Sequence, residues 1–275
     1  MNPSRRVRCL EYNPFVPPRD RLYRTEAVVL RRQDLGEADR LLTLYTPGRG
    51  KLRVVAKGVR LPRSRKAGHL ELFTRVDLLV ARGRELDVVT QAEALQTYDG
   101  LRRDLVRFGH AAYAVELVDC FGVEEENRPL YRLLTETLER LADGEPPGTV
   151  LRFFELRLLE LAGYRPQLFS CVSCNAEIRP QAQYFSGRDG GVLCPKCGSG
   201  RKQAQPISLA ALKVLRHFQR SSYAAAAAVR VGRATQAEVQ RLMEEYLTHL
   251  LERRLHTPAF LRRLRGLLQG EVEAA

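Results

Sequence analysis

Two Cys-x-x-Cys pairs, CVSC at Cys171–Cys174 and CPKC at Cys194–Cys197, stand 19 residues apart in this chain. No other feature restricts its folding as strongly. Two residues between thiols let both sulfurs of a tight turn aim at one point, and two such knuckles complete a tetrahedral shell around Zn²⁺. Asn175, Pro195 and Gly198 suit the turns. The competing arrangement, a pair of disulfides, requires an oxidising compartment. The opening MNPSRRVRCLEYNPFVPPRD has arginines but no apolar signal core, which argues against secretion. The expectation is therefore one structural zinc on Cys171, Cys174, Cys194 and Cys197. Four thiolates leave no open position for a catalytic water. The HLE of His69–Glu71 matches half of a zinc-deaminase signature. Its Cys-x-x-Cys half would lie far along the chain and would leave the second pair idle. Cys9 and Cys120 have no partner at such spacing and read as ordinary thiols.

The hydrophobic period divides the rest of the chain. Five short runs rich in Val, Leu and Thr, each bounded by turn residues, fall between Tyr23 and about Leu95: RTEAVVLRR, DRLLTLYTP, KLRVVAKGV, LFTRVDLLVA and ELDVVTQAE. TPGRGK, with Gly48 and Gly50 able to take positive φ, reads as a hairpin loop, as does RGREL. Five strands in so short a segment favour a small OB-fold barrel over a plain open sheet. From about Tyr98 the period becomes helical. One helix is expected from Leu101 to Phe121, its buried face carrying Leu101, Leu105, Phe108, Ala112, Val115 and Cys120. Others follow Asn127–Pro129 and Thr149, the latter helix stopping at Gly163. Ser208 reads as the cap of LAALKVLRHFQR, and Thr235 with Glu238 as a capping box. Thr257–Pro258 opens the last helix, and YAAAAAV is compatible with helix. The domain reading is an arm at 1–22, an OB-fold at 23–97, helices at 98–164, a zinc ribbon at 165–205 and helices at 206–275. The fold class is thus α+β: a five-stranded barrel, then an all-α domain interrupted by the ribbon.

Charge points to the partner. The chain carries 45 Lys or Arg against 32 Asp or Glu, a formal net charge of +13. Such a balance favours nucleic acid over an anionic membrane or acidic protein. No apolar run is long enough to span a bilayer. Between Asp39 and Glu71 no acid occurs, while nine cations do: Arg40, Arg49, Lys51, Arg53, Lys57, Arg60, Arg63, Arg65 and Lys66. In the third strand Lys51 and Arg53 share one side, and Leu52, Val54 and Ala56 take the other. The remaining cations leave the strand on a Gly- and Pro-bearing loop. Single-signed charge on one barrel side and one loop binds a phosphate chain by releasing its counterions. Tyr45 is the sole aromatic between Tyr23 and Phe73. Base stacking is accordingly expected to be minor and binding tolerant of sequence. A solvated face without a partner is the bland alternative. His110, His217, His249 and His256 sit singly on helical segments and read as packing or surface residues.

Several stretches together resemble the bacterial RecO family of recombination mediators, in its zinc-bearing form. They are AVVL at Ala27–Leu30, GEADRLLTLYT at Gly36–Thr46, GKLRVVAKGVR at Gly50–Arg60, SRKAGHL at Ser64–Leu70 and AE at Ala92–Glu93. The ordered succession of helices, four-cysteine ribbon and helices continues the likeness, from Thr25 onward. The resemblance implies a non-catalytic protein that binds single- and double-stranded DNA and anneals complementary strands. It also implies partnership with RecR, contact with the C-terminal tail of the single-stranded DNA-binding protein, and indirect help in loading RecA. The setting would be the bacterial cytoplasm, at the nucleoid. No P-loop, G-x-S-x-G or carboxylate cluster for nuclease chemistry occurs. A zinc-ribbon OB-fold protein of RNA binding or transcription, and a nuclease or deaminase with an unrecognised site, remain the alternatives.

Overall fold

The computed structural model describes residues 21–252 and 255–273, with side chains to residue 264. Residues 1–20, most of the expected arm together with Cys9, lie outside them. Strands β1 (Leu22–Leu35), β2 (Asp39–Thr46), β3 (Gly50–Ala56), β4 (Arg75–Ala81) and β5 (Asp87–Gln96) close into a barrel ordered β1-β2-β3-β5-β4. This is the expected OB-type barrel. β3 and β5 pair in parallel, and every other neighbouring pair is antiparallel. β1 makes closure possible. Its Leu22–Val28 half pairs with β4 and its Val28–Leu35 half with β2, and an irregularity between Val29 and Arg31 turns the strand.

The run Ala27–Leu30 is apolar without alternation because both of its faces are buried. Ala27 and Val29 point into the barrel with Leu42, Leu44, Val54, Val76, Leu78 and Val80. Val28 and Leu30 point outward and join the core of the helical domain, with Tyr45 and Phe73 beside them. In β3, Val54 and Ala56 are fully buried in the barrel, while Leu52 packs at its margin and Arg53 is exposed. In the β2–β3 hairpin, Thr46 Oγ1 accepts from the Arg49 N–H and donates to the Gly50 carbonyl, both at 3.1 Å. Gly50 takes φ +59°, and a Cβ there would stand 2.1 Å from the Val123 carbonyl oxygen. Gly48 does not use the positive φ open to it.

The helical domain departs from the sequence reading in its starts. The single helix expected from Leu101 is two, α1 (Asp99–Arg102) and α2 (Leu105–Phe121). Asp104 breaks them, its carboxylate accepting from the Val106 and Arg107 N–H groups at 2.8 and 3.1 Å. The expected buried stripe fails at Leu105, the first residue of α2, which is 57% exposed, and the rest of α2 is enclosed from several sides. Gly109, His110, Ala111, Tyr113, Ala114, Leu117 and Val118 are all buried there. α3 (Arg128–Asp143) is capped by Asn127 as expected. α4 (Pro147–Leu161) starts after Pro146 rather than at Thr149, since proline is pre-set for a first helical turn and lacks the N–H that would go unpaired there.

Three strands, β6 (Gln183–Ser186), β7 (Gly191–Leu193) and β8 (Gln205–Ile207), form the sheet of the ribbon in the order β7-β6-β8, with the short α5 (Pro195–Gly198) between the last two in sequence. α6 (Leu209–Arg220), α7 (Tyr223–Ala227), α8 (Arg233–Leu251) and α9 (His256–Glu273) complete the described chain. Ser208 caps α6 as expected. The Thr235–Glu238 capping box does not form, because α8 begins earlier, after Gly232. Glu238 instead accepts from the Ser208 N–H and hydroxyl at 2.7 and 2.6 Å, clamping the start of α6. α9 opens at His256, where Glu116 of α2 accepts from the His256 and Thr257 N–H groups at 2.7 and 2.9 Å. No helix among the described residues is long and apolar enough to cross a membrane.

Val54 tests the barrel interior. Val54→Glu would bury a charge with no partner, at a cost of about 3–5 kcal/mol. The expected result is loss of the cooperative melt followed by circular dichroism, while Lys57→Glu on the exposed loop keeps it. A Val54→Glu protein with the parent melting temperature would contradict the inward placement of Val54.

Candidate metal centre and nucleic-acid interface

Two backbone knuckles bring the four cysteines together. In the first, the Asn175 N–H donates to the Cys171 carbonyl and the Cys171 N–H to the Ala176 carbonyl, each at 2.8 Å, with Asn175 at φ +58°. In the second, the N–H groups of Cys197 and Gly198 donate to the Cys194 carbonyl at 3.0 and 2.9 Å. The four sulfurs all lie within 4.8 Å of one another. Cys174 and Cys194 Sγ are 3.8 Å apart. That is the edge of a tetrahedron with arms of about 2.3 Å, the Zn–S length. It is far beyond the roughly 2.0 Å of a disulfide. Burial raises the Cys171 thiol, but the N–H groups of Cys194, Cys174 and Ser173 outweigh it and bring it down to about 6. Cys197 moves the other way, to about 12, crowded by the thiols of Cys194 and Cys174. Four sulfurs this close suit a cation among them, and an all-sulfur shell suits a soft divalent ion. Cys171, Cys174, Cys194 and Cys197 could therefore hold one metal ion, with no ligand position left for chemistry.

The ribbon does not fold as a separate unit. Leu168, Cys171, Ile178, Phe185, Val192 and Leu193 belong to the same buried cluster as Leu212, Leu215 and Tyr246. Arg216 of α6 donates to the Leu168 and Ile178 carbonyls at 2.9 and 3.2 Å, its guanidinium over Phe169. The four-cysteine cluster is thus joined to the helical core through Cys171 itself.

The nine basic residues of the barrel fall into distinct environments. Arg40 pairs with Asp34 at 3.2 Å and Glu71 at 3.8 Å, and Arg60 pairs with Asp34 at 3.4 Å. Lys51 faces the helical domain, donating to the Asp119 carbonyl at 2.9 Å with the carboxylate at 3.7 Å. Lys66 is a staple. Its ammonium donates to the Lys57 and Val89 carbonyls at 3.0 and 3.1 Å, and burial lowers its pKa. The basic loop is also pinned where it leaves β3, by the Gly58 N–H to Asp39 at 2.7 Å and the Arg60 N–H to the Ala38 carbonyl at 2.9 Å. Val59 of the same loop is buried in the barrel. Arg53, Lys57, Arg63 and Arg65 are exposed and form no ion pair among the described residues. Arg53 stands in register with Thr43 of β2, which is in register with Arg31 of β1.

One feature escaped the sequence reading. Tyr23 donates to Asp87 at 2.6 Å, and the guanidinium groups of Arg49 and Arg82 lie 4.2 and 5.9 Å from its ring centre. Burial and Asp87 raise the Tyr23 pKa. The β2–β3 and β4–β5 hairpins therefore converge on one aromatic. The arginines of RGREL gave the signal, but a turn pattern does not show where its charges go. Tyr45 is fully buried. His69 Nδ1 accepts from the Ala94 N–H at 3.0 Å, tying the turn at Ala67–Leu70 to β5, apart from the cysteines. His217 bonds to Ser221 and to the Ala225 carbonyl, both at 3.1 Å.

Two family models match this chain, Recombination protein O N terminal over residues 21–98 and Recombination protein O C terminal over residues 102–259. The chain belongs to the RecO family. The DNA repair protein RecO of Roseiflexus sp. (strain RS-1) is 46% identical over 258 residues, which are 94% of this chain and 91% of the relative. The RecO protein of Desulforudis audaxviator is 42% identical over 243 residues, 88% of this chain and 97% of the relative. That of Dehalococcoides mccartyi (strain CBDB1) is 34% identical over 232 residues, 84% and 91%. The boundary between the RecO family models falls where the barrel gives way to the helices.

Elemental analysis of the RecO-family chain is expected to return one divalent ion per molecule. Cys174→Ser, at the exposed corner of the shell, should lower the melting temperature and make the ion easier to chelate. Because Cys171 belongs to the helical core, the loss should reach helical signals as well. A metal-free protein with unchanged melting, or one with the four thiols paired as disulfides, would overturn the assignment.

Proposed function

We propose that this protein is a non-catalytic recombination mediator of DNA repair. In this reading it binds single- and double-stranded DNA on the barrel and anneals complementary strands. With RecR, it helps load RecA onto DNA coated by the single-stranded DNA-binding protein, at the nucleoid in the bacterial cytoplasm. The observation that carries the DNA-binding part is the exposed set Arg53, Lys57, Arg63 and Arg65, without an ion-paired acid, Arg53 on β3 and the other three on the loop that follows it, fastened at both ends. A fixed array of cations loses little conformational freedom on meeting phosphates, and released counterions drive the binding. Arg40, Arg49 and Arg60 can add to the field, whereas Lys51 and Lys66 serve the fold first. The family supplies the pathway, and the metal in this reading is zinc with a structural role. The non-catalytic part rests on the closed sulfur shell and on the absence of nucleophile or phosphate-loop motifs from the sequence.

The acidic, apolar-ended tail of the single-stranded DNA-binding protein is proposed to dock between α3 and α4. A cavity of about 390 Å³ there is lined by Leu133, Phe153 and Leu161 beside Arg128, Arg132 and Arg157, with Glu136 and Glu160 also in the lining and Glu136 held by Arg140 at 2.9 Å. Apolar side chains flanked by guanidinium groups fit an apolar terminal residue and its carboxylate. Arg128 and Arg157 also pair with Glu126 and Glu160, at 2.7 and 2.6 Å. Arg132 makes no ion pair among the described residues and is the residue to change. Arg132→Glu in the full chain should weaken a fluorescent tail peptide by tenfold or more and leave DNA affinity unchanged. Equal peptide binding would exclude this pocket.

Strand annealing in the presence of the single-stranded DNA-binding protein tests the function as a whole. Changing Arg53, Lys57, Arg63 and Arg65 together to Glu should abolish annealing. It should also flatten the slope of log K against log[salt] on single strands by about 3, or 0.7 for each lost phosphate contact. The fold should persist, since all four are exposed. A folded quadruple variant that binds and anneals normally would show this face to be solvated surface only.

A further inference from the structure

A second basic surface lies away from the barrel loop. A wide groove of about 1160 Å³ separates the metal ribbon from α8 and α9. Arg188 and Lys202 line its ribbon wall, Arg241 and His249 its α8 wall, and His256 and Arg263 its α9 wall. It shares no lining residue with the loop of residues 57–66. Arg188, Lys202, Arg241 and Arg263 are exposed, and none forms an ion pair among the described residues. Arg188 and Arg241 instead donate to the neutral amides of Gln203 and Gln205, which fixes the guanidinium groups without cancelling their charge. A smaller cavity of about 460 Å³ continues along the ribbon past Arg188 and Lys202, with Arg201 paired to Asp189 at 3.0 Å in its lining. The ribbon as a whole, residues 165–205, carries six Lys or Arg against two acids.

Three carboxylates enter the groove and must be weighed. Glu244 is already held by Arg262 at 3.3 Å and by the Gln240 amide at 2.7 Å. Burial raises the pKa of Glu245, while Arg241 and His249 draw it back. Glu252 stands exposed at the end of α8. The positive charge of the ribbon wall is therefore left over. An acidic peptide with an apolar anchor finds little here, since the apolar lining is Leu255, Pro258 and Ala259, and Leu255 is buried. A concave wall of one charge sign suits a flexible polyanion.

We propose that this groove is a second seat for a nucleic-acid phosphate backbone, separate from the barrel. One molecule would then neutralise two strands, which is what annealing by a single chain requires. This rests on the proposed DNA-binding function of the barrel and assigns a further surface to it. It also gives the ribbon a role in binding, through the side chains that the metal shell holds in place.

Lysine footprinting of the intact protein tests the idea, because Lys57 reports the barrel and Lys202 the groove. Lys213, exposed on α6, is the control. With a single-stranded oligonucleotide in excess, acetylation of Lys57 and Lys202 should both slow by fivefold or more, with Lys213 unchanged. Protection of Lys57 alone would overturn the groove and leave the barrel reading intact. Protection of neither, with no DNA bound, would overturn both. Protection of Lys202 by polyglutamate but not by DNA would assign the groove to an acidic protein and reject this proposal. A second variant guards against misfolding. Changing Arg188, Lys202, Arg241 and Arg263 to Gln keeps side chains able to reach the same amides. Metal content and melting should remain, with the salt slope on single strands lower by about 2–3 and annealing reduced at least tenfold. An unchanged slope and annealing rate would sink the inference.

Discussion

The burial of β1 on both faces is the constraint on which the rest of the structure depends. Ala27 and Val29 complete the barrel interior, and Val28 and Leu30, one residue along in each case, complete the helical core. A strand has only these two faces, so the two domains share an element rather than a linker. Removing the helices would expose Val28, Leu30, Tyr45 and Phe73 together. An isolated barrel is therefore a poor reporter of what the barrel does, and point variants in the whole chain are the sounder probes. The seam is also polar at its edges. Arg75 pairs with Glu26 at 3.0 Å, Tyr131 donates to the same carboxylate at 3.3 Å, and Lys51 reaches Asp119. These contacts fix the orientation that the apolar faces alone would leave loosely specified.

Shared cores explain which parts of the sequence could be read. The barrel was legible because Leu42, Leu44, Val54, Val76, Leu78 and Val80 alternate with outward residues, and period two is a strand signal. The metal knuckles were legible because their chemistry demands a fixed local spacing. The buried stripe of α2 was not, since enclosure from several sides removes the contrast between an apolar and a polar face. Leu105 then lies exposed while His110 is buried. Helix starts failed where a better long-range partner existed. Glu238 has the right spacing from Thr235 for a capping box, but it reaches Ser208, 30 residues away. Local patterns report local options, and tertiary packing chooses among them.

The basic stretch shows the same limit in electrostatic form. Nine cations between Asp39 and Glu71 read as one uniform patch, because sequence does not tell which carboxylates will fold back on them. Asp34 and Glu71 flank the stretch and take Arg40 and Arg60. Asp119, far along the chain, takes Lys51, and backbone carbonyls take Lys66. Exposed ion pairs of this kind contribute little to stability, with a median near 0–1 kcal/mol. Their larger effect is to sort the cations. Arg49 lies over the Tyr23 ring, and the other four, Arg53, Lys57, Arg63 and Arg65, are left without an ion-paired acid among the described residues.

This sorting bears on the annealing proposed for the protein. A protein that anneals DNA must hold strands firmly enough to bring them together and release the duplex afterwards. Each cation withheld by an internal carboxylate lowers affinity and the steepness of its salt dependence. In that reading, a chain with a formal charge of +13 that offered every cation to DNA would bind more tightly and with a steeper salt dependence. Loops fastened through Lys66, Gly58 and Arg60 present a limited number of charges in a fixed arrangement instead. In the proposed two-seat reading, two surfaces on one rigid body would raise the effective concentration of one strand near another. The shared β1 core supplies that rigidity, joining the barrel loop to the helices against which the ribbon packs.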